Sequence, residues 1–252
     1  MNVITFTFSG TGNTRWVSQR LGETLQEHGY QARTVAVETA DMASILKAAE
    51  TPDAVGFAYP LYGADIPRIM RRCIRQFLDA AQANPSIPRT LFFINTFAYV
   101  NGSGVFEARK LLRHTPFLIK YYINIPMINS APGKRSDNPN SRAAADAKRK
   151  RSAARKLEKF VSRLESGRPR IEGVGPQLLA GKLVRALLRR PIANNYTHMR
   201  VDLQACTRCM QCVRGCPARC IQFADGKFTF TKDCEACMRC CRGCPAHVIT
   251  NG

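Results

Sequence analysis

VITFTFSGTGNT (residues 3–14) decides the fold of the first two thirds of the chain. Its first seven residues, 3–9, alternate apolar and hydroxyl-bearing side chains, which is the period of a strand. SGTGNT (9–14) then breaks the pattern with two glycines. From Thr14 to His28 the apolar residues Val17, Leu21 and Leu25 recur at helical spacing. A strand, a glycine-rich turn and a helix in that order open a βα unit.

The same unit recurs downstream. ARTVAVE (32–38), AVGFAYP (54–60), RTLFFINTF (89–97) and FLIKYYINIPMI (117–128) read as four more strands. The intervening stretches read as helices: a short one around Ile45 and Leu46 capped by Asp41, one opened by Pro67 and carrying Ile69, Met70, Ile74, Phe77 and Leu78, and Val105–Arg113. Alternating β and α predicts a parallel sheet with helices on both faces. SAPGKRSDNPNS (130–141) reads as a loop before a long helix, Arg142–Glu165, ended by Gly167 and Pro169. RPRIEGVGP (168–176) reads as a linker. Gln177–Arg190 reads as a basic amphipathic helix with Leu178, Leu179, Leu183, Leu187 and Leu188 apolar, stopped by Pro191.

The turn has a chemistry of its own. Backbone N–H groups can converge there on an anion at the helix N-terminus, with hydroxyls from Ser9, Thr11 and Thr14 and an amide from Asn13. It is not the dinucleotide fingerprint, since the third glycine would fall at Arg15. Many strand–helix turns share this composition and bind nothing. After the first strand of a five-stranded βα pattern, TFSGTGNT resembles the FMN phosphate loop of flavodoxins. The resemblance spans roughly residues 1–166, with motif specificity only in residues 7–14. It implies a doubly wound five-stranded sheet in the order 2-1-3-4-5, with flavin at the C-terminal strand ends. The loops after the third and fourth strands, YPLYGADIP (59–67) and NTFAYVNG (95–102), would then supply Pro60, Tyr62, Gly63, Thr96, Tyr99 and Gly102. With Ser9, Thr11, Gly12, Asn13 and Thr14 these are the candidate FMN contacts. Tyr62 and Tyr99 are placed to stack on the ring, although any single tyrosine is more often an ordinary core or surface aromatic.

Ten of the 11 cysteines crowd between Cys206 and Cys244. Clustering of this kind points to metal or cluster binding rather than disulfides. The region is an internal repeat: CTRCMQCVRGCPARCI (206–221) and CEACMRCCRGCPAHVI (234–249) align without a gap. Each copy holds C-x2-C-x2-C-x3-C-P, the run of bacterial two-cluster ferredoxins. A zinc module, with two separated C-x2-C pairs, fits it poorly. An Asp225–Gly226 hairpin turn separates the copies. Residues 199–252 thus resemble a bacterial two-cluster ferredoxin, a small α+β domain. By that resemblance Cys206, Cys209, Cys212 and Cys244 bind one [4Fe–4S] cluster, and Cys234, Cys237, Cys240 and Cys216 the other. Cys241 aligns with Val213 and Cys220 with Val248, so both extra cysteines stand where the sister copy tolerates a small apolar side chain. Cys73 falls on the apolar face of a helix.

The chain therefore resembles flavodoxin-like/ferredoxin fusion proteins. The expected domains are 1–166, flavodoxin-like; 167–198, a basic linker with an amphipathic helix; and 199–252, ferredoxin-type. The implied function is electron transfer between two [4Fe–4S] clusters and FMN. Two alternatives stand beside it: a ferredoxin whose other half has lost its flavin and serves for docking, and a flavin-dependent reductase of a quinone or other small acceptor. His28, His114, His198 and His247 have no motif context, and no acid–base or nucleophile constellation appears, which favours a carrier over an enzyme. The net charge is +20, and residues 109–200 alone carry 22 Lys+Arg against five Asp+Glu. Simple flavodoxins and ferredoxins are usually acidic. The excess here points to an acidic redox partner or an anionic membrane surface; nucleic acid ranks last, for want of a binding motif. No apolar run is long enough to span a bilayer and the N-terminus lacks signal-peptide features, so the expected location is the cytoplasm.

Overall fold

The computed structural model describes residues 1–42, 52–82, 84–99, 101, 103–129, 139–175 and 177–251. The expected short helix around Ile45 and Leu46 lies outside them. Strands β1 (Asn2–Thr7), β2 (Gln31–Ala36), β3 (Ala54–Pro60), β4 (Thr90–Phe97), β5 (Leu118–Pro126) and β6 (Arg170–Ile171) form one sheet in the order 2-1-3-4-5-6. Every pairing in it is parallel. The order 2-1-3-4-5 is the flavodoxin-like doubly wound order.

The sheet has six strands rather than the expected five. The sixth lies inside the stretch read as a linker. Two residues are too few for a periodic signal, and the strand is fixed by its surroundings instead. Arg170 and Ile171 pair with Tyr121 and Tyr122. Glu172 then caps the arrangement, accepting from the backbone N–H of Asn124 at 2.9 Å and pairing with Lys156 at 2.8 Å.

Helices cover both faces. On one, α1 (Asn13–Glu27) and α4 (Pro139–Glu165) bury Val17, Leu21, Leu25, Leu157, Phe160 and Val161 against Val3, Ala58, Ile94 and Ile123. On the other, α2 (Arg68–Ala81) and α3 (Gly104–Leu112) bury Met70, Ile74, Phe77, Ala108 and Leu112 against Phe6, Phe57 and Phe93. Cys73 is buried there, and burial pushes its thiol up to about 12. Gly56 on β3 keeps the sheet close-packed, because a Cβ there would lie 2.0 Å from the Phe92 ring on β4. Helix α4 begins at Pro139, three residues before the expected start.

Helix α5 spans Gln177–Ala193 and runs through Pro191, which was expected to stop it. Proline forfeits one hydrogen bond, but the next turn still closes with Asn194 N–H donating to the Arg190 carbonyl at 2.9 Å. Ile192 is held against Gly63, where an added Cβ would lie 2.3 Å from its Cδ1. No helix among the described residues is long and apolar enough to cross a membrane.

The cysteine-rich end is small and pseudo-symmetric. β7 (Met199–Val201) pairs antiparallel with β10 (Ile249–Asn251), and β8 (Ile221–Ala224) with β9 (Lys227–Phe230). Asp225 and Gly226 both have positive φ, 49° and 72°, as a tight hairpin of this kind requires. Helices α6 (Gln211–Arg214) and α7 (Arg239–Gly243) begin at matching repeat positions. The backbone repeats too. Arg208 and Ala236 (φ 52° and 51°), Met210 and Met238 (58° and 56°), and Arg219 and His247 (50° and 53°) are left-handed in pairs. Non-glycine residues rarely adopt this conformation, so three matched pairs mark one fold built twice.

Candidate functional site

A crevice opens at the C-terminal ends of β1, β3, β4 and β5. It encloses about 650 Å³ between protein atoms, part of it open to solvent. The β1–α1 turn contributes Ser9, Gly10, Thr11, Asn13 and Thr14, the β3 loop Pro60, Leu61 and Tyr62, and the β4 end Thr96, Phe97 and Ala98. Seven of the eleven candidate flavin contacts therefore share one wall system: Ser9, Thr11, Asn13, Thr14, Pro60, Tyr62 and Thr96.

Three others lie elsewhere. Gly12 is the N-cap of α1 at φ 108°, with its N–H donating to Ser9 Oγ at 3.2 Å. Gly63 sits under Ile192 and Leu188 of α5. Tyr99 is 81% exposed, and its hydroxyl accepts from Asn129 Nδ2 at 3.2 Å. Gly102 lies outside the described residues. Two segments of the wall were not expected from sequence. Met127, Ile128 and Asn129 follow β5, and Ala236, Cys237 and Met238 come from the cysteine-rich end. The first could have been anticipated, because every parallel strand ends on the same side. The second is a tertiary contact with no local signal.

Hydrogen bonds fix the turn. Thr14 Oγ1 and Thr96 Oγ1 are 2.8 Å apart, joining α1 to β4. Asn13 Nδ2 donates to the Ile128 carbonyl at 2.9 Å, so this amide braces the wall rather than facing the crevice as a free donor. Gly10 is the point of closest approach: a Cβ there would lie 2.4 Å from Tyr62 Oη and 2.5 Å from the Cys237 carbonyl oxygen. Only glycine lets these three segments meet. Burial, reinforced by the neighbouring Cys237 thiol and Glu235, raises the Tyr62 pKa well above that of an ordinary phenol.

Two cavities occupy the cysteine-rich end. Cys216, Cys234, Cys237 and Cys240 line one, with Met199, Ile221 and Phe230. Cys206, Cys209, Cys212 and Cys244 line the other, with Val201, Phe228 and Ile249. Each cavity thus takes three cysteines from one repeat and the fourth from the other. None of the 11 cysteines is paired in a disulfide. Arg208 N–H donates to Cys206 Sγ and Cys220 N–H to Cys216 Sγ, both at 3.4 Å. Such donors favour an anionic sulfur. Cys220 also lines the first cavity, with its sulfur 3.4 Å from Cys216 Sγ; Val248 takes the equivalent place in the second. Cys241 lines neither and packs with Met199, Val248 and Ile249. Among the described residues no three His, Cys, Asp or Glu side chains converge as ligands of a single metal ion. A cubane, with one thiolate on each of four irons, takes a wider ring of cysteines.

The first cavity abuts the crevice, with Cys237 lining both. Two polar clamps hold this junction. The Arg239 guanidinium donates to the carbonyls of Ser9 at 2.7 Å and Gly10 at 3.3 Å, pairs with Glu38, and lies 5.8 Å over the Phe8 ring. Glu235, buried, accepts from the N–H groups of Arg68 and Ile69 at 2.9 Å each. A carboxylate there meets the positive end of α2. Arg68 returns a hydrogen bond to the Cys234 carbonyl at 2.7 Å.

No known protein-family profile matches the chain, and no curated protein matches it. Among solved structures, an archaeal flavodoxin is similar at 8% identity, with 66% of this chain and 99% of the flavodoxin covered and a TM-score of 0.44. A Thermotoga maritima flavoprotein is similar at 19% identity, with 66% of this chain, only 35% of that protein and a TM-score of 0.44. General stress protein 14 of Treponema denticola, solved with FMN, is similar at 13% identity, with 65% of this chain, 98% of that one and a TM-score of 0.43. At these scores the likeness carries no conclusion about cofactor or function, and the assignments below rest on the chain's own residues.

Proposed function

We propose that the protein is an electron carrier that binds FMN in the crevice and one [4Fe–4S] cluster in each cysteine-lined cavity. The observation that carries this is Cys237, a wall of the crevice and of a cavity at once. When bound, the clusters exchange single electrons and FMN takes one or two. The chain's own residues supply holding and spacing. Cys216, Cys234, Cys237 and Cys240 form the near site, beside the crevice. Cys206, Cys209, Cys212 and Cys244 form the far site, where Cys209 is exposed. Ser9, Thr11, Thr14 and the start of α1 offer the donors a phosphate needs. Tyr62, neutral and wedged against Gly10, lines the crevice beside Cys237.

The partner this arrangement favours is an acidic redox protein docking over the far site. Arg208 and Arg214 are exposed there, between the cysteines. Complementary charge of this kind accelerates encounter and weakens with salt.

The test is anaerobic purification with iron, sulfide and FMN counted per chain. The expected result is about eight irons and one FMN. Eight irons without flavin would leave a ferredoxin with a docking module, and stoichiometric zinc without iron would overturn the proposal. A Cys237→Ser variant should lose the near-site iron and keep the far-site signal in electron paramagnetic resonance.

A further inference from the structure

Helix α5 is amphipathic in the inverse sense. Its cation Arg185 faces the protein, paired with Asp65 at 2.9 Å and Glu107 at 3.2 Å. Two of its leucines face out: Leu183 is 62% exposed and Leu187 64%. They stand one turn apart on the same face. Of the eight large hydrophobics exposed among the described residues, four fall between Val174 and Leu188. Such clustering on a soluble surface marks an interaction site, where scattered single residues would not.

The charges around the stripe select the occupant. At 100° per residue, Arg190 continues the line of Leu183 and Leu187, and Arg189 stands about 120° round the helix from Leu183; both are exposed, while the Lys182 ammonium lies 5.9 Å over the Phe106 ring. Residues 173–201 contain five Lys+Arg and no Asp or Glu. A protein interface packs its apolar core to interior density within a polar rim. A convex leucine stripe with cations alone matches a fluid anionic surface.

We infer that this face of α5 docks on an anionic lipid surface, the helix lying in the interface with Leu183 and Leu187 entering the headgroup–acyl boundary and Arg189 and Arg190 meeting lipid phosphates. The inference is independent of the cofactors, because none of these residues lines the crevice or the cysteine cavities.

The experiment floats the full-length protein, as purified, with vesicles of phosphatidylcholine alone and of phosphatidylcholine with about a third phosphatidylglycerol. Recovery with the anionic vesicles should be at least about tenfold higher and should fall as salt rises. Leu183→Ser with Leu187→Ser should abolish it while far-ultraviolet circular dichroism stays unchanged. Arg189→Gln with Arg190→Gln should reduce recovery on anionic vesicles only. Equal recovery on both vesicles, or recovery undiminished by the leucine changes, would overturn the inference. So would a solution dimer, without vesicle binding, that the leucine changes split: it would put a second copy of the chain on this face.

Discussion

Cys220 and Cys241 test how far a repeat can be read residue by residue. Alignment with Val248 and Val213 marks both as apolar fillers, and each is buried, at 3% and 5% exposure. Their surroundings then separate them. Cys241 belongs to the small core beneath β7 and β10, against which Cys240 also packs, whereas Cys220 stands on the cavity wall beside Cys216. Both substitutions to valine should keep about eight irons per chain and cost less than about 1.5 kcal/mol of stability. Iron and sulfide assays with a denaturant melt decide it, and a loss of about four irons from Cys220→Val would make that thiol a ligand. The valine alignment was legible in the sequence. The proximity of Cys220 to Cys216 was not, because it depends on how the repeats fold over each other.

Elements with strong periodicity or clean punctuation were legible nearly to the residue. β3 spans the seven residues of AVGFAYP, bounded by Asp53 and the β3 loop, and α2 starts directly after Pro67. β6 and the last turn of α5 were hidden for one shared reason: tertiary partners, Tyr121 and Tyr122 for one and Gly63 for the other, override weak or contrary local preference. The site divides the same way. The loops after β1, β3 and β4 follow from fold topology, whereas Ala236–Met238 reach the crevice only through docking. Among helices, the α1–α4 pair carries a pH signature. His28, at the C-cap of α1, meets Glu165 at 2.9 Å and Glu158 at 3.4 Å on α4. Hydrogen bonding to Glu165, then Glu158, raises its pKa despite some desolvation. A raised folded-state value means the contribution is full below the unfolded pKa of about 6.5 and is lost as pH rises through the folded one. The melting temperature should therefore decline from about pH 6.5 upward, and His28→Ala should flatten that slope. Superimposable pH profiles of the two proteins would show the pair contributes nothing.

At the scale of the whole molecule, the junction depends on a few charged groups. Arg239→Met would strip partners from Glu38 and from the Ser9 and Gly10 carbonyls, at a cost of about 2–3 kcal/mol. The expected outcome is a lower unfolding midpoint and faster protease cleavage within residues 166–198, with Arg239→Lys recovering part of the loss. Unchanged cleavage would mean that apolar contact alone holds the units together. The crossed supply of cysteines to the two cavities has a further consequence. Neither repeat can be excised with a finished pocket, because each lends its last thiol to its sister. A truncation anywhere between residues 217 and 239 would therefore spoil both pockets together, and half of this unit could complete its cysteine sets only by joining a second half chain. The two pockets are in that sense one indivisible object, inherited or lost as a pair.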